Sequence, residues 1–187
     1  MNVTGIILAG GKSSRMGTDK GLVDLNGNPM ITYSINVLKN VVSKVIIIAN
    51  QPGYKQFNLD VYPDLIPNKG PVGGIYTALS CSKTEQNIIV SCDTPFITKK
   101  LLNNLLLESK HYEVTIVKFK NKIHPLIGVY NQSVKSIFEE NIHKNKLKLG
   151  LVNQQNKLKV VSYNDCDFDE KTFFNINTQT DLKQHKS

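Results

Sequence analysis

The sequence has few cysteines and no long apolar run, and these two absences exclude several classes of protein. Its three cysteines, Cys81, Cys92 and Cys166, show no C-x-x-C spacing, so neither a disulfide framework nor a structural zinc site is expected. No stretch approaches the roughly 18 consecutive apolar residues of a membrane-spanning helix, so no membrane partner is expected. The first residues lack a basic segment followed by an apolar one, so we expect no secretory signal. Free thiols in a chain of this kind predict a cytoplasmic protein.

Arginine is almost absent, since Arg15 is the single arginine among 23 basic residues. Against 15 acidic residues, the basic residues give a net charge of +8. Such a charge suits a solvated surface, an anionic metabolite or a nucleic acid. No helix-turn-helix, zinc-finger or aromatic RNA-binding pattern accompanies it. A solvated surface is therefore the default interpretation, and no nucleic-acid partner is expected.

Apolar runs alternate with amphipathic segments along 187 residues, a length that predicts one domain covering residues 1–187. Uninterrupted apolar runs separated by helices are typical of a parallel sheet covered on both faces. We therefore predict a three-layer, Rossmann-like α/β fold with a mostly parallel central sheet and a β-hairpin extension. The predicted strands are 3–8, 44–49, 61–62, 87–91 and 158–162, and the predicted hairpin is 113–118 with 123–130. The predicted helices start at Asn28-Pro29 (the cap of the first helix), Pro71, Thr98, near Ser133 and after Thr178.

Residues 5–20, GIILAGGKSSRMGTDK, form the most informative segment of the sequence. An apolar strand ends in Gly10 and Gly11, where the lack of side chains lets backbone N–H groups approach a ligand closely. Arg15 and Lys20 follow, and the planar fork of an arginine suits a phosphate. A glycine-rich surface turn would explain the glycines alone. The added cations favour a loop that binds a polyphosphate.

Two better-known phosphate loops do not fit this segment. A Walker A loop has the pattern G-x-x-x-x-G-K-[ST], and Ile6 occupies the position of its first glycine although Gly11-Lys12-Ser13 matches its end. The dinucleotide-binding pattern G-x-G-x-x-G fails because Gly10 and Gly11 are adjacent. The loop is therefore phosphate-binding in character without belonging to either class.

Polar residues also follow other predicted parallel strands. Asn50 follows the second strand, and Asp93 follows strand 87–91. Because ligands of such sheets bind beyond the carboxyl ends of the strands, we expect both residues to face the glycine-rich loop. Asp93 either caps the turn that contains Pro95 or holds Mg²⁺ against bound phosphates. Its expected position opposite a cationic loop favours the metal.

Several further polar residues have competing interpretations. Asp64 starts a segment rich in glycine and proline, which is either a surface loop or a ligand contact. His124 is interpreted as a structural hydrogen-bonding residue rather than a catalyst, with a substrate contact as the alternative. Asn175 and Asn177 would alternate on one short strand and share a face, where they contact a ligand. Alternatively, Asn177 or Thr178 caps the last helix.

In their order along the chain, LAGGKSSRMGTDK, GPVGG, SCDTPF, the dipeptide His124-Pro125 and FFNINT resemble the molybdenum cofactor guanylyltransferases. That family lies within the glycosyltransferase-A-like nucleotidyltransferase superfamily, and the resemblance extends from Val3 to about Leu182. It implies an enzyme that transfers GMP from GTP to the terminal phosphate of molybdenum-bound molybdopterin and releases pyrophosphate, with Mg²⁺ as cofactor. A sister enzyme that uses CTP or another phosphorylated acceptor is the alternative. The fragile acceptor suggests direct hand-over from cofactor-delivery proteins, although no residue marks a docking surface.

The resemblance also implies roles for individual residues. Arg15, Lys20 and Asp93 would be catalytic, with Lys20 on the phosphates and Asp93 on Mg²⁺. Asn50 and Asp64 would help to recognise guanosine. The implied GTP-binding residues are Leu8, Ala9, Gly10, Gly11, Lys20, Asn50, Asp64 and Asp93. The residues implied to face the pterin substrate are Asn175 and Asn177.

Overall fold

The strands predicted for the central sheet are all present, at nearly the predicted bounds. The structure is a computed structural model and describes residues 2–10 and 19–185. Its strands are β1 (Val3–Leu8), β2 (Asp24–Leu25), β3 (Asn28–Pro29), β4 (Lys44–Ile48), β5 (Asp60–Tyr62), β6 (Gln86–Ser91), β7 (Val114–Phe119), β8 (Lys122–Asn131) and β9 (Leu158–Tyr163). Its α-helices are α1 (Ile31–Lys39), α2 (Gly70–Cys81), α3 (Lys99–Glu108), α4 (Lys135–His143), α5 (Leu149–Asn153) and α6 (Gln179–Gln184). Short 3-10 segments connect some of them, at Lys20–Leu22, Pro52–Phe57, Gln132–Val134 and Glu170–Phe173.

Within the described residues, seven strands form one sheet in the order β5-β4-β1-β6-β8-β7-β9. Every strand of this sheet except β8 runs in the same direction. Every residue of β1 is buried, which explains the apolar run, since a central parallel strand is covered on both faces. The predicted hairpin is β7 with β8, and it lies inside the sheet, where β9 pairs with β7 in parallel at the edge. The predicted α/β class with a mostly parallel sheet is confirmed.

Helices pack on both faces of the sheet, which gives three layers. One apolar cluster joins Ile7 of β1 to Leu38 of α1 and Leu105 of α3. A second cluster joins Ile6 of β1 to Ile75 of α2 and to α4. Ile6 and Ile7 are neighbours whose side chains point to opposite faces, as in any strand. Within residues 2–10 and 19–185, none of these helices has both the length and the apolar surface that crossing a bilayer requires.

The start of the first helix was predicted wrongly. Asn28 and Pro29 form β3, which pairs with β2 across a turn at Asn26 and Gly27. The φ values of the two turn residues are +53° and +81°, as a two-residue hairpin turn requires. α1 begins at Ile31 and has no side-chain cap.

The short strand predicted for Asn175 and Asn177 is also wrong. Residues 174–178 form neither a strand nor a helix. Thr178 caps α6 in a reciprocal pair of hydrogen bonds with Asp181, which was one of the alternatives for this segment. Thr98 caps α3, as predicted.

Candidate functional site

The carboxyl ends of three neighbouring parallel strands meet at one edge of the sheet. The backbone N–H of Cys92, after β6, donates to the carbonyl of Leu8 at 3.1 Å. The backbone N–H of Ala9, after β1, donates to the carbonyl of Ile48 at 2.9 Å. The residues directly after β1, β4 and β6 therefore lie side by side at this edge, where the polar segments were predicted to converge. The Cys92 thiol is buried and desolvation raises its pKa, so it offers no thiolate as a nucleophile.

A cavity of about 590 Å³, here called the first cavity, opens at this edge. Leu8, Ala9 and Gly10 lie on one wall, directly after β1. Gly70 and Pro71, at the amino end of α2, lie on another. The amino end of a helix favours a bound anion because its N–H groups and its dipole both present positive charge. The amino end of α2 therefore gives the first cavity one place that suits an anionic group, while Asp19 and Asp64 place carboxylates elsewhere on its lining.

Asn50 and Asp64 form a doubly hydrogen-bonded pair on the wall of the first cavity. The side-chain amide of Asn50 donates to Oδ2 of Asp64 at 2.9 Å, and Oδ1 of Asn50 accepts from the backbone N–H of Asp64 at 2.9 Å. A Cβ atom added to Gly10 would lie 4.0 Å from Oδ2 of Asp64, so Gly10 lies beside the pair. The structure thus brings together Asn50, in the loop after β4, and Asp64, in the loop after β5.

Asp93 and Lys20 form an ion pair in which Nζ of Lys20 lies 3.5 Å from Oδ2 of Asp93. The amide of Asn175 donates to Oδ1 of Asp93 at 2.9 Å, and Nζ of Lys20 donates to Oδ1 of Asn177 at 2.6 Å. The side chains of Lys20 and Asp93 are 24% and 15% exposed, so a ligand can reach them in a sheltered position. These four residues are called the central cluster below. Lys20 and Asp93, both predicted as catalytic, are therefore hydrogen-bonded to the two asparagines predicted to face the pterin.

Two other predicted site residues, Gly11 and Arg15, lie outside the described residues. The chain is described up to Gly10 and again from Asp19, and both of these residues border the first cavity. Asp19 was not singled out in the sequence, where it is an unremarkable acidic residue within a cationic loop.

A second cavity of about 540 Å³ borders the central cluster through Asn175 and Asn177. Lys120 and Lys122, from the turn and strand of the β7–β8 hairpin, also line it. Lys120 pairs with Glu170 at 2.9 Å, whereas Lys122 is an exposed cation at the rim. The sequence analysis did not identify these lysines as site residues, although it predicted the hairpin that carries them. Because Glu170 offsets the charge of Lys120, it is Lys122 that gives this rim a positive charge suited to an anionic ligand.

His124 lines the same cavity and is only 7% exposed. Its ring lies 5.5 Å from that of Phe173, measured between centroids. Burial, together with the nearby charge of Lys122, lowers the pKa of His124 to about 4. The imidazole is therefore neutral near pH 7, and it can form hydrogen bonds but carries no charge to a ligand.

The central cluster offers one oxygen ligand of the type that Mg²⁺ prefers, the carboxylate of Asp93. Across residues 2–10 and 19–185, no three His, Cys, Asp or Glu side chains are grouped so that they could hold a metal ion. A single carboxylate fits a cation that takes its other ligands from phosphate and water, as Mg²⁺ commonly does in nucleotide sites. The residues present therefore fit a cation that binds together with a nucleotide.

Comparison with known families decides which class of site this is. Residues 5–157 match the family described as the MobA-like NTP transferase domain. The chain belongs to the MobA-like NTP transferase family. This MobA-like chain is accordingly a nucleotidyltransferase, and the superfamily that its motifs resembled is confirmed.

Three curated relatives of this MobA-like chain are named as molybdenum cofactor guanylyltransferases. The molybdenum cofactor guanylyltransferase of Yersinia pestis is 34% identical over 185 residues, which cover 96% of this chain and 93% of that protein. A protein of Carboxydothermus hydrogenoformans, named "Probable molybdenum cofactor guanylyltransferase", is 34% identical over 98% of this chain and 94% of its own length. One of Flavobacterium johnsoniae with the same name is 41% identical over 79% of this chain and 78% of its own length. The resemblance drawn from the motifs is confirmed.

Solved structures support the fold. The molybdopterin-guanine dinucleotide biosynthesis protein A of Archaeoglobus fulgidus superposes with a TM-score of 0.80 at 23% identity, over 98% of this chain and 96% of that one. A CMP:2-keto-3-deoxy-manno-octonic acid synthetase in complex with CTP superposes with a TM-score of 0.79 at 15% identity, over 98% of this chain and 96% of that one. At these identities the likeness concerns the fold alone.

Proposed function

We propose that this protein transfers GMP from GTP to the terminal phosphate of molybdenum-bound molybdopterin and releases pyrophosphate. The observation that carries the proposal is the central cluster, in which Lys20 and Asp93 are bonded to Asn175 and Asn177. It lies at the edge of the sheet that bears the first cavity and directly borders the second. The names of relatives that align over nearly the whole chain support the same reaction. Residues 1–187 would act as one nucleotidyltransferase domain.

GTP would occupy the first cavity. Leu8, Ala9, Gly10 and Gly11 would place backbone groups against the nucleotide, because a chain without bulky side chains allows close approach. The hydrogen-bonded pair of Asn50 and Asp64 would recognise guanosine, since an amide and a carboxylate together offer both donors and acceptors. Lys20 and Asp93 would also contribute to GTP binding.

The transfer itself needs little acid–base chemistry. An oxygen of the acceptor phosphate would attack the α-phosphorus of GTP, and the bond from that phosphorus to the oxygen bridging to the β-phosphorus would break. The acceptor is already an anion, so no general base is required. The main difficulty is to bring two anions together in line, which calls for positioning and for neutralising charge. Lys20 and Arg15 would supply that positive charge.

Asp93 would hold Mg²⁺. When bound, such a cation offsets phosphate charge and orients the reacting groups. The protein contributes the carboxylate of Asp93, just after β6, whose Oδ1 accepts a hydrogen bond from the amide of Asn175 at 2.9 Å. That hydrogen bond fixes the orientation of the carboxylate and leaves Oδ2 directed toward Lys20.

The acceptor would enter through the second cavity. Asn175 and Asn177 line that cavity and are bonded to the proposed catalytic residues, so they would face the pterin next to the reacting phosphates. Lys122 at the rim would attract the phosphorylated substrate. Hand-over from cofactor-delivery proteins and a cytoplasmic location remain predictions of the sequence.

The proposed reaction is tested by mixing the protein with Mg²⁺, molybdenum-bound molybdopterin and GTP, CTP, ATP or UTP in turn. Release of pyrophosphate and formation of the dinucleotide are measured. Of the four nucleotides, we expect only GTP to give both products. Preferential use of CTP would contradict the proposal and favour the sister enzyme. Binding of nucleic acid without pyrophosphate release would contradict any transferase function.

A further inference from the structure

We propose that Tyr54 is a positioning residue, whose buried hydroxyl fixes the carboxylate of Asp19 and thereby the placement of Lys20 at the nucleotide. This inference rests on the proposed function, because it takes Lys20 as a phosphate contact. Tyr54 lies in the 3-10 segment Pro52–Phe57 after β4, 35 residues from Asp19 in sequence. Neither the sequence motifs nor the outline of either cavity includes it.

Asp19 organises the turn that carries Lys20. It caps the 3-10 segment Lys20–Leu22, and its Oδ1 accepts a hydrogen bond from the backbone N–H of Gly21 at 3.2 Å. Its carbonyl accepts from the backbone N–H of Leu22 at 3.0 Å. Asp19 also borders the first cavity. A change in the orientation of this carboxylate would therefore shift the backbone from which the Lys20 side chain extends.

The hydroxyl of Tyr54 donates to the same Oδ1 atom of Asp19. The Tyr54 side chain is fully buried and packs against Phe57 with ring centroids 6.3 Å apart, so the position of the hydroxyl is set by the core. Burial and the neighbouring Asp19 carboxylate both raise the pKa of Tyr54, so the hydroxyl keeps its proton and remains a donor. A hydrogen bond from a buried hydroxyl to a carboxylate is among the stronger ones in proteins.

Two close approaches show that the segments around Tyr54 and Lys20 fit each other specifically. A Cβ atom added to Gly21 would lie 2.5 Å from the hydroxyl oxygen of Tyr54. A Cβ atom added to Gly53 would lie 2.7 Å from Cδ1 of Leu22. Each segment thus has a glycine where a side chain of the other arrives. The turn that carries Lys20 therefore packs closely against both the hydroxyl and the ring of Tyr54.

The test compares Tyr54→Phe with a matched control, Tyr33→Phe, whose lost hydroxyl donates to the carbonyl of Leu25 at 2.8 Å, away from both cavities. Dissociation constants for GTP are measured by calorimetry, and thermal melting shows that each variant folds. We expect Tyr54→Phe to weaken binding about fivefold or more and Tyr33→Phe to change it less than about twofold, because hydrogen bonds to charged groups are the stronger ones. A Tyr54→Phe variant that binds GTP as the control does would overturn the inference.

The same substitution is then made in a Lys20→Ala background. Because the effect of Tyr54 passes through Lys20, Tyr54→Phe should there weaken binding by less than about twofold. A purely structural role for Tyr54 would give the same loss in both backgrounds, and that outcome would contradict the inference.

A second pair of variants keeps the test decisive if Tyr54→Phe does not fold. Asp19→Asn and Asp19→Ala remove the same charge, but only asparagine keeps an oxygen that can accept from Tyr54 and Gly21. We expect Asp19→Asn to bind GTP at least about fivefold more tightly than Asp19→Ala, since only asparagine preserves these charge-independent acceptor contacts. Equal affinities would overturn the inference. If the wild type prefers CTP, the proposed function is wrong, and the same comparisons made with CTP still decide the role of Tyr54.

Discussion

Lys20 and Asp93 lie 73 residues apart in sequence, and their charged atoms lie 3.5 Å apart in the structure. Each charge offsets the other in a sheltered position, where an isolated charge would be costly. The proposed reaction gives both residues new partners, phosphates for Lys20 and a cation for Asp93. A ligand must therefore compete with this ion pair, so the two residues should not act independently.

Replacing Asp93 should abolish most of the turnover. In Asp93→Ala we expect pyrophosphate release to fall at least about a hundredfold, as when a group that stabilises transition-state charge is lost. Asp60→Asn is the control, because Asp60 forms an exposed ion pair with Lys44 at the start of β5, opposite to the site. Its turnover should be unchanged. Near-normal pyrophosphate release by Asp93→Ala would remove Asp93 from the site.

Replacing Lys20 should weaken nucleotide binding. Lys20→Ala removes one charge from the phosphates, so the dissociation constant for GTP should rise about tenfold, the equivalent of one hydrogen bond to a charged group. Lys39→Ala removes an exposed lysine from the last turn of α1 and should leave binding unchanged. Calorimetric titration measures both. If Lys20→Ala alters neither affinity nor rate, the assignment of Lys20 to the phosphates is wrong.

The frame of the site could be predicted because it depends on local patterns. The apolar runs mark β1, β4 and β6, and the rule that ligands bind beyond the carboxyl ends of parallel strands places Asn50 and Asp93 at one edge. The paired glycines mark the loop after β1. The turn at Asn26 and Gly27 was also visible as an Asn-Gly pair, a common hairpin signal, and was overlooked.

The remaining contacts depend on tertiary structure. Asn177 reaches Lys20 across 157 residues and Asn175 reaches Asp93 across 82, and no periodicity in the sequence encodes such pairs. In the sequence, nothing distinguishes Tyr54 from an ordinary core residue. Only the structure shows that its hydroxyl reaches Asp19. The second cavity exists only because the β7–β8 hairpin and residues 170–177 come together.

Lys122 should affect the acceptor and leave the nucleotide unaffected. It lines the second cavity at the exposed rim, so Lys122→Ala should raise the KM for molybdopterin about threefold to tenfold, as expected for one partly screened charge on a phosphate. The dissociation constant for GTP should change less than about twofold, because an exposed charge beyond the central cluster is screened from the first cavity. Lys110→Ala, at an exposed lysine after α3, should change neither value. A rise in the dissociation constant for GTP with an unchanged KM would assign the second cavity to the nucleotide.

His124 should make folding stability depend on pH in the acidic range. Its pKa is lowered from 6.5 to about 4 in the folded protein, chiefly by burial and also by Lys122. Between these values the unfolded chain binds a proton that the folded protein does not, so the free energy of unfolding rises as the pH increases from about 4 to 6.5. One proton contributes a slope of at most about 1.4 kcal/mol per pH unit. Urea unfolding at a series of pH values measures this slope, which His124→Gln should reduce and His143→Gln, at an exposed residue of α4, should not. Equal slopes in the wild type and in His124→Gln, or an ordinary histidine pKa for His124 in an NMR titration, would contradict the neutral buried imidazole.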